Sequence, residues 1–495
     1  MIDADEPVAT ARGALLIGRL LTPAAALVAV VLSGLRAYTF WRSQAYVDAT
    51  SGAWMTMAQD LAHGVLYRPL IGPEGIGGAR YFPLSFSLHA LAIRMTGDTV
   101  WSGFAVAACA MALLMGGVYA LARRIGATKT LACACAAFVL VARPAQEGLL
   151  AVKGDVLAAA LNVWGLAVCA GAIGGAGLLA SALLFALSFA TKVTSVSGVG
   201  AALVWLMATG RVRQAGALLG CTAAGMSLVL ATMYLGSHGL VFDIFRASAT
   251  AGGGLGQLLQ APFTLARQAR RVPETLVFIQ LGFAAALVFL VRPRPLQNPA
   301  LLFFVAVFAV TTVIFGSPGT DTNHFIDLHV ASILLVASWI SAQRAPWSDF
   351  GGAALLVAAL AASLSLVSGL ANAKGEQRRG AVADALRLIP DRSKPILAEN
   401  PLVPIVAGQR PYLLDAYMLR VLVERDPAFG DPLWADLRRH RFAAVVFEND
   451  PAIGRARSLY REILGQRFVE AVEQSYEPAG QVGTRTVYLP RPEQP

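Results

Sequence analysis

Long apolar stretches, separated by short breaks rich in glycine, proline and charge, fill the first three quarters of the chain. A helix rises 1.5 Å per residue, so a run of about 20 apolar residues matches a hydrocarbon core of about 30 Å. Runs of this kind lie near 15–35, 100–122, 130–149, 155–171, 176–190, 193–208, 215–235, 275–291, 299–315, 327–342 and 350–370. The pattern predicts an α-helical polytopic membrane protein of about eleven spans. The run 83–97 is shorter and is interrupted by His89 and Arg94, so it reads as a helix lying on the membrane surface. With 83–97 outside the count, Arg123, Arg124, Lys129, Arg211, Arg213, Arg292, Arg294 and Arg344 all fall on one side. The positive-inside rule makes that side cytoplasmic, with the amino terminus inside and the carboxyl tail outside.

The run from 176 to 209 tests the scheme. As one straight helix its length would be about 50 Å, far more than the hydrocarbon core, so it should break. Thr191-Lys192 lies between the two apolar halves, and a turn there brings the lysine to the outer surface instead of leaving it in mid-membrane, where it would cost at least about 2.5 kcal/mol. Charge divides the chain in two. Residues 372–495 carry 34 of the 70 charged side chains, which predicts a membrane domain over 1–371 and a soluble extracytoplasmic domain over 372–495. In that tail, Pro395 to Val406 and Phe442 to Phe447 read as strands, and 412–425, 431–440 and 454–465 as helices, giving a small α/β domain. The first external loop, 36–98, holds an amphipathic segment with Trp54, Met57, Ala58 and Leu61 at helical spacing, then a Gly/Pro-rich stretch from Tyr67 to Pro83.

Composition narrows the function. Of 495 residues, 56% are hydrophobic and 14% charged, against about 25% charged in soluble domains. The net charge of +10 raises a nucleic-acid reading, but no basic stretch is interleaved with aromatics and no base-reading motif is present. The five cysteines all lie in apolar runs, so a disulfide framework or zinc site in the tail is not expected. The first residues are acidic and no small-residue cleavage site follows the first apolar run, which reads as a retained span.

Ionisable groups at the ends of apolar runs mark candidate chemistry. Asp48 begins the amphipathic segment; it can cap a helix, and a cap can also serve as a base. Lys153 and Asp155 sit between two spans, where they could equally meet headgroups and cap the following helix. The predicted topology puts Asp48, Arg143, Lys153, Asp155, Lys192 and the loop Gly316 to Asp327 on one face. That loop holds Asp321, Asn323, His324 and Asp327. A metal held by Asp321, His324 and Asp327 is conceivable, but turn chemistry is the commoner role of such residues, and a phosphate or hydroxyl contact suits His324 better. No metal or cofactor is expected to be required.

These residues resemble a family. The first-loop aspartate, Leu61-Ala62-His63-Gly64-Val65-Leu66-Tyr67 at the end of the amphipathic segment, and Tyr81-Phe82-Pro83-Leu84 before the surface helix look like the GT-C superfamily of membrane glycosyltransferases. So do Lys153-Gly154-Asp155-Val156-Leu157-Ala158, Phe189-Ala190-Thr191-Lys192 and Gly319-Thr320-Asp321-Thr322-Asn323-His324-Phe325. The resemblance is to the bacterial branch related to protein mannosyltransferases and lipid A aminoarabinose transferases. It implies an inner-membrane enzyme that moves a sugar, with inversion, from a polyprenyl-phosphate carrier to an extracytoplasmic glycan, lipid or protein acceptor. Asp48 would then be the general base and Asp155 a partner in catalysis. Lys153, Lys192, Arg143 and His324 would meet the donor phosphate, and Tyr67, Tyr81, Asn323 and Asp321 the acceptor or sugar. Many relatives carry a second acidic residue directly after the first-loop aspartate, whereas Ala49-Thr50 follows here, which argues against a metal clamp. The competing classes are a transporter or flippase, for which a second copy of the broken pair at Lys192 is missing, and a non-catalytic envelope scaffold.

Overall fold

The computed structural model describes residues 6–44, 47–78, 80–171, 174–250, 254–317, 320–343, 382–448 and 464–492. Its helices follow the apolar runs. They are α1 (Glu6–Ser43), α4 (Thr99–Arg124), α5 (Lys129–Phe138), α6 (Arg143–Leu150), α7 (Asp155–Gly171), α8 (Gly175–Thr191), α9 (Ser197–Ala208), α10 (Val212–Gly236), α13 (Pro273–Leu290), α14 (Pro299–Ile314) and α15 (Phe325–Ser341). Among the described residues, five helices are long and apolar enough to cross a membrane, α7, α8, α9 and α14 are shorter apolar helices, and α5 and α6 form a pair bent by 72°. The span read at 350–370 lies outside the described residues, as does the helix read at 454–465.

Three boundaries differ from the sequence reading. The run 130–149 is not one straight span. Pro144 lacks an N–H and its ring would meet the carbonyl four residues back, so Ala142 turns extended and the chain restarts as α6. The first helix does not stop at 35. It runs to Ser43 because Arg36, only 7% exposed, donates to Gln146 and the aromatic residues Phe40 and Trp41 pack inward, so the first loop opens later than residue 36. Two amphipathic helices, α11 (Leu240–Thr250) and α12 (Leu255–Ala269), fill a stretch that the span pattern left blank.

The break at Lys192 is present. α8 ends with Lys192 in an extended conformation, and α9 begins five residues later. The surface segment is α3 (Pro83–Thr96), started by Pro83 and stopped by Gly97 at φ 74°, with Leu88, Leu91 and Met95 exposed along it.

The first loop and the tail pack as one unit. α2 (Ala49–Ala62) leads to a short ladder of β1 (Ile71–Gly72) and β2 (Gly75–Ile76). The tail contains a four-stranded sheet ordered β3-β4-β6-β5, with β3 (Ile396–Ala398) parallel to β4 (Ala444–Phe447), and β6 (Arg485–Pro490) antiparallel to both β4 and β5 (Tyr476–Val482). Pro395 to Val406 is therefore only partly strand: Asn400 caps by accepting from the Leu402 N–H, and Leu402–Val406 is a short helix. The helices Ala416–Arg425 and Asp431–Arg438 lie inside the predicted ranges. The tail reaches back to the loop through Ile76 N–H donating to the Tyr412 carbonyl at 2.7 Å and Asn400 Nδ2 donating to the Val47 carbonyl at 2.7 Å. A Cβ on Gly52 would lie 2.7 Å from both Asn400 and Pro401, so α2 touches the tail where no larger residue fits unshifted.

Candidate active site

Asp48 sits at the start of α2, in the extended conformation of a helix cap. Its Oδ1 accepts from the Ser51 N–H at 2.8 Å and from the Ser51 hydroxyl at 2.7 Å. Its Oδ2 accepts from Lys153 Nζ at 2.6 Å. The cap satisfies a free N–H of the first helical turn, and the helix dipole favours the negative charge there. The Asp48 side chain is still 51% exposed, and each carboxylate oxygen can accept more than one hydrogen bond, so a hydroxyl can approach. Capping and proton acceptance are compatible in this geometry.

Burial alone would raise the Asp48 carboxyl, but the Lys153 charge, the Lys153 hydrogen bond and the bonds from Ser51 hold it below the ordinary 3.8. For Lys153, burial would lower the ammonium, but Asp48 first, then the more distant charges of Asp155 and Asp321, raise it above the ordinary 10.5. Asp48 strengthens the fold above 3.8 and loses that contribution as pH falls through its lowered value. Lys153 does so below 10.5 and loses it as pH rises through its raised value, so the pair is at full strength between those limits.

A second cluster surrounds Asp155, the first residue of α7. Its Oδ1 accepts from Lys192 Nζ at 2.6 Å and from Asn323 Nδ2 at 2.9 Å. Lys192 Nζ also lies 3.1 Å from His324 Nδ1. An ammonium has donors only, so Nδ1 accepts and His324 is neutral, with its proton on Nε2. The break between α8 and α9 places Lys192, the start of α7 places Asp155, and the 3-10 turn Thr322–His324 before α15 places Asn323 and His324. Asp327, in the first turn of α15, lines a cavity of about 10 Å³ with Lys192 and His324, and its Oδ1 has no hydrogen-bond partner among the described residues. A cavity of that size is near the minimum for one water.

The structure thus brings Asp48, Lys153, Asp155, Lys192, Asn323 and His324 together. The remaining candidates have other neighbours. Arg143 Nε donates to Glu147 at 2.8 Å, and Glu147 accepts from Thr322 Oγ1 at 3.5 Å, which joins α6 to the loop before α15. Asp321 caps its own turn by accepting from the Thr322 N–H at 2.7 Å. Tyr67 is buried and donates to the Tyr81 carbonyl at 3.0 Å, so its hydroxyl serves the loop. The Tyr81 ring stacks on Trp54 at 4.6 Å; burial raises its phenol, Asp415 adds to the rise, and Asp48 and Asp155 are near enough to add more. Among the described residues no group of three or more His, Cys, Asp or Glu side chains is arranged to hold a metal ion. Glu147 was missed in the sequence, although Arg143 and Glu147 stand at the i,i+4 spacing that pairs charges on one helix face.

If Asp48 is the base, its lowered pKa has a kinetic signature. The acid limb of kcat/KM for wild type is expected below the ordinary aspartate value of 3.8, because Lys153 and Ser51 hold the carboxylate in its ionised form. Lys153→Gln removes the opposing charge, burial then dominates, and the acid limb should move to higher pH. Matched pH profiles of the two proteins check this; identical limbs would contradict it.

No family model matches the chain, and no curated protein matches its sequence. Solved structures do match its fold. ArnT from Cupriavidus metallidurans bound to undecaprenyl phosphate aligns at a TM-score of 0.58 with 12% identity, over 93% of this chain and 97% of that one. The oligosaccharyltransferase of Archaeoglobus fulgidus in its apo form aligns at 0.59 with 11% identity, over 96% of this chain and 74% of that one. The archaeal oligosaccharyltransferase AglB from the same organism, in complex with an inhibitory peptide and a dolichol-phosphate, aligns at 0.53 with 12% identity, over 97% and 75%. The three alignments cover 93–97% of this chain, and its fold is that of these solved structures.

Proposed function

We propose that the protein is an inverting glycosyltransferase that takes a sugar from a polyprenyl-phosphate carrier and delivers it to an acceptor outside the cytoplasm. The observation that carries this reading is the pairing of a half-exposed carboxylate, Asp48, with Lys153, beside a second pair in which Lys192 meets Asp155, at the ends of apolar helices. A carrier lipid keeps its tail in hydrocarbon and its phosphate at the interface, at the level where such helix ends lie. The solved neighbours that hold undecaprenyl phosphate or dolichol-phosphate support the same donor class here.

In this reading an acceptor hydroxyl oxygen attacks the anomeric carbon from the face opposite the phosphate. The bond from that carbon to the phosphate oxygen breaks, and polyprenyl phosphate leaves with the electron pair. Asp48 takes the hydroxyl proton, which requires it to come within about 2.6 to 3.2 Å of the oxygen. Lys153 and Lys192 meet the negative charge that develops on the departing phosphate, a contribution that is usually the largest single one in such reactions. Neutral His324 presents its Nε2–H as a further donor. Asp155 holds Lys192 and Asn323 in register and so positions the second lysine. No metal is given a role in this scheme. The Asp48 face is taken as periplasmic, in the inner membrane.

The purified full chain, incubated with radiolabelled polyprenyl-phosphate-linked sugars and envelope fractions as acceptors, should release polyprenyl phosphate and transfer label covalently. Movement of intact donor across reconstituted vesicles without release of polyprenyl phosphate would replace the enzyme reading by that of a flippase.

A further inference from the structure

A second polar cavity lies at the other ends of the same helices. α7 runs from Asp155 to the level of Ala170, α14 from Ile314 beside the Lys192 cluster back to Pro299, and α15 from Asp327 to Ser338. Ala170, Pro299 and Ser338 all line a cavity of about 740 Å³. The 16 residues of α14 span about 24 Å, so this cavity opens on the membrane face opposite Asp48. It belongs to no part of the transfer site.

Its charge is one-sided. Arg124, Arg292 and Arg294 line it, and no acidic residue does. None of the three guanidinium groups has an ion-pair partner among the described residues. Two have close neighbours at the cavity wall. Arg124 packs on Gly171, where any Cβ would collide with its guanidinium, and Arg292 lies over the Phe289 ring at 5.2 Å. Arg294 adopts φ 57° and ψ 54°, the left-handed region that favours glycine. The remaining wall is mixed: Trp205 and Phe289 give an apolar side, whereas Asn298 is spent on capping α14.

We propose that this cavity binds the phosphate of an anionic phospholipid at the interface opposite the transfer site. Arginine is the side chain best matched to a phosphate, through paired N–H donors, and basic pockets between membrane helices suit anionic headgroups. The volume falls within the 300 to 1,000 Å³ or so of small-molecule sites, and the apolar wall formed by Trp205 and Phe289 suits the first acyl carbons. A free phosphate compound has the same charge but no use for that wall.

The test uses the full chain, delipidated in neutral detergent, with melting temperature as the readout. Dihexanoyl phosphatidylglycerol should raise it saturably, and dihexanoyl phosphatidylcholine should not. The triple variant Arg124→Gln, Arg292→Gln, Arg294→Gln should lose the response. Should that variant fail to fold, Arg294→Gly serves alone: it relaxes the backbone and should still bind about tenfold more weakly or worse. Equal shifts from both lipids, or an unchanged response in Arg294→Gly, would overturn the proposal. A shift reproduced in full by inorganic phosphate would overturn its assignment to a lipid.

Discussion

Asp48→Asn is expected to lower sugar transfer by about 10² to 10⁴ while leaving donor binding intact, because the amide keeps the shape of the cap but cannot take the acceptor proton. The amide oxygen can still accept from the Ser51 N–H, so α2 should keep its start. What changes is the partner of Lys153, which loses an ion pair at 2.6 Å and is free to hold the donor phosphate more firmly. Turnover with purified donor and acceptor, beside donor binding on the same preparation, separates the two effects. Loss of binding together with transfer would assign Asp48 to architecture, and undiminished transfer would remove it from the mechanism.

Asp60→Ala is expected to destabilise the loop and tail by about 3 to 5 kcal/mol, since it strands a buried guanidinium. Asp60 and Arg68 are each 2% exposed at the side chain and share bonds of 2.8 and 3.0 Å. Arg410 of the tail donates to the same carboxylate at 2.7 Å, and Arg68 donates onward to the Pro411 carbonyl at 2.6 Å. Removing the carboxylate therefore loosens the tail as well as α2. A lower melting temperature and faster proteolysis of the tail would be the signs. Arg410→Gln should be milder, because that side chain is 26% exposed. An unchanged melting temperature in Asp60→Ala would mean that the loop and tail are held by other contacts.

The membrane helices were legible because a bilayer imposes a length, and apolar runs of that length have few other uses. α7, α10 and α14 begin and end within a few residues of the runs that predicted them. The break at Lys192 was legible for the same reason in reverse: a lysine between two apolar halves has to reach a surface. Asp48, Lys153, Asp155 and Lys192 stood out as charges beside apolar runs, and topology alone put them on one face. Their pairing was not readable. Lys153 meets Asp48 across 105 positions and Lys192 meets His324 across 132, and no local spacing encodes such contacts. The same holds for Arg68 and Pro411, 343 positions apart. Where the sequence reading erred, local chemistry decided: Pro144 bent a span, Asn400 and Pro401 converted half a strand to helix, and Gln146 allowed Arg36 to sit inside a helix that seemed to have ended.

The clearance at Gly52 bears on how such a protein can be re-engineered or can diverge. With Asn400 and Pro401 pressed against the backbone one turn from Asp48, the last quarter of the chain and the opening loop behave as matched halves of a single casting. A hybrid that receives a foreign C-terminal portion should work only when the matching loop travels with it, and substitutions that enlarge one half should be rescued by trimming the other.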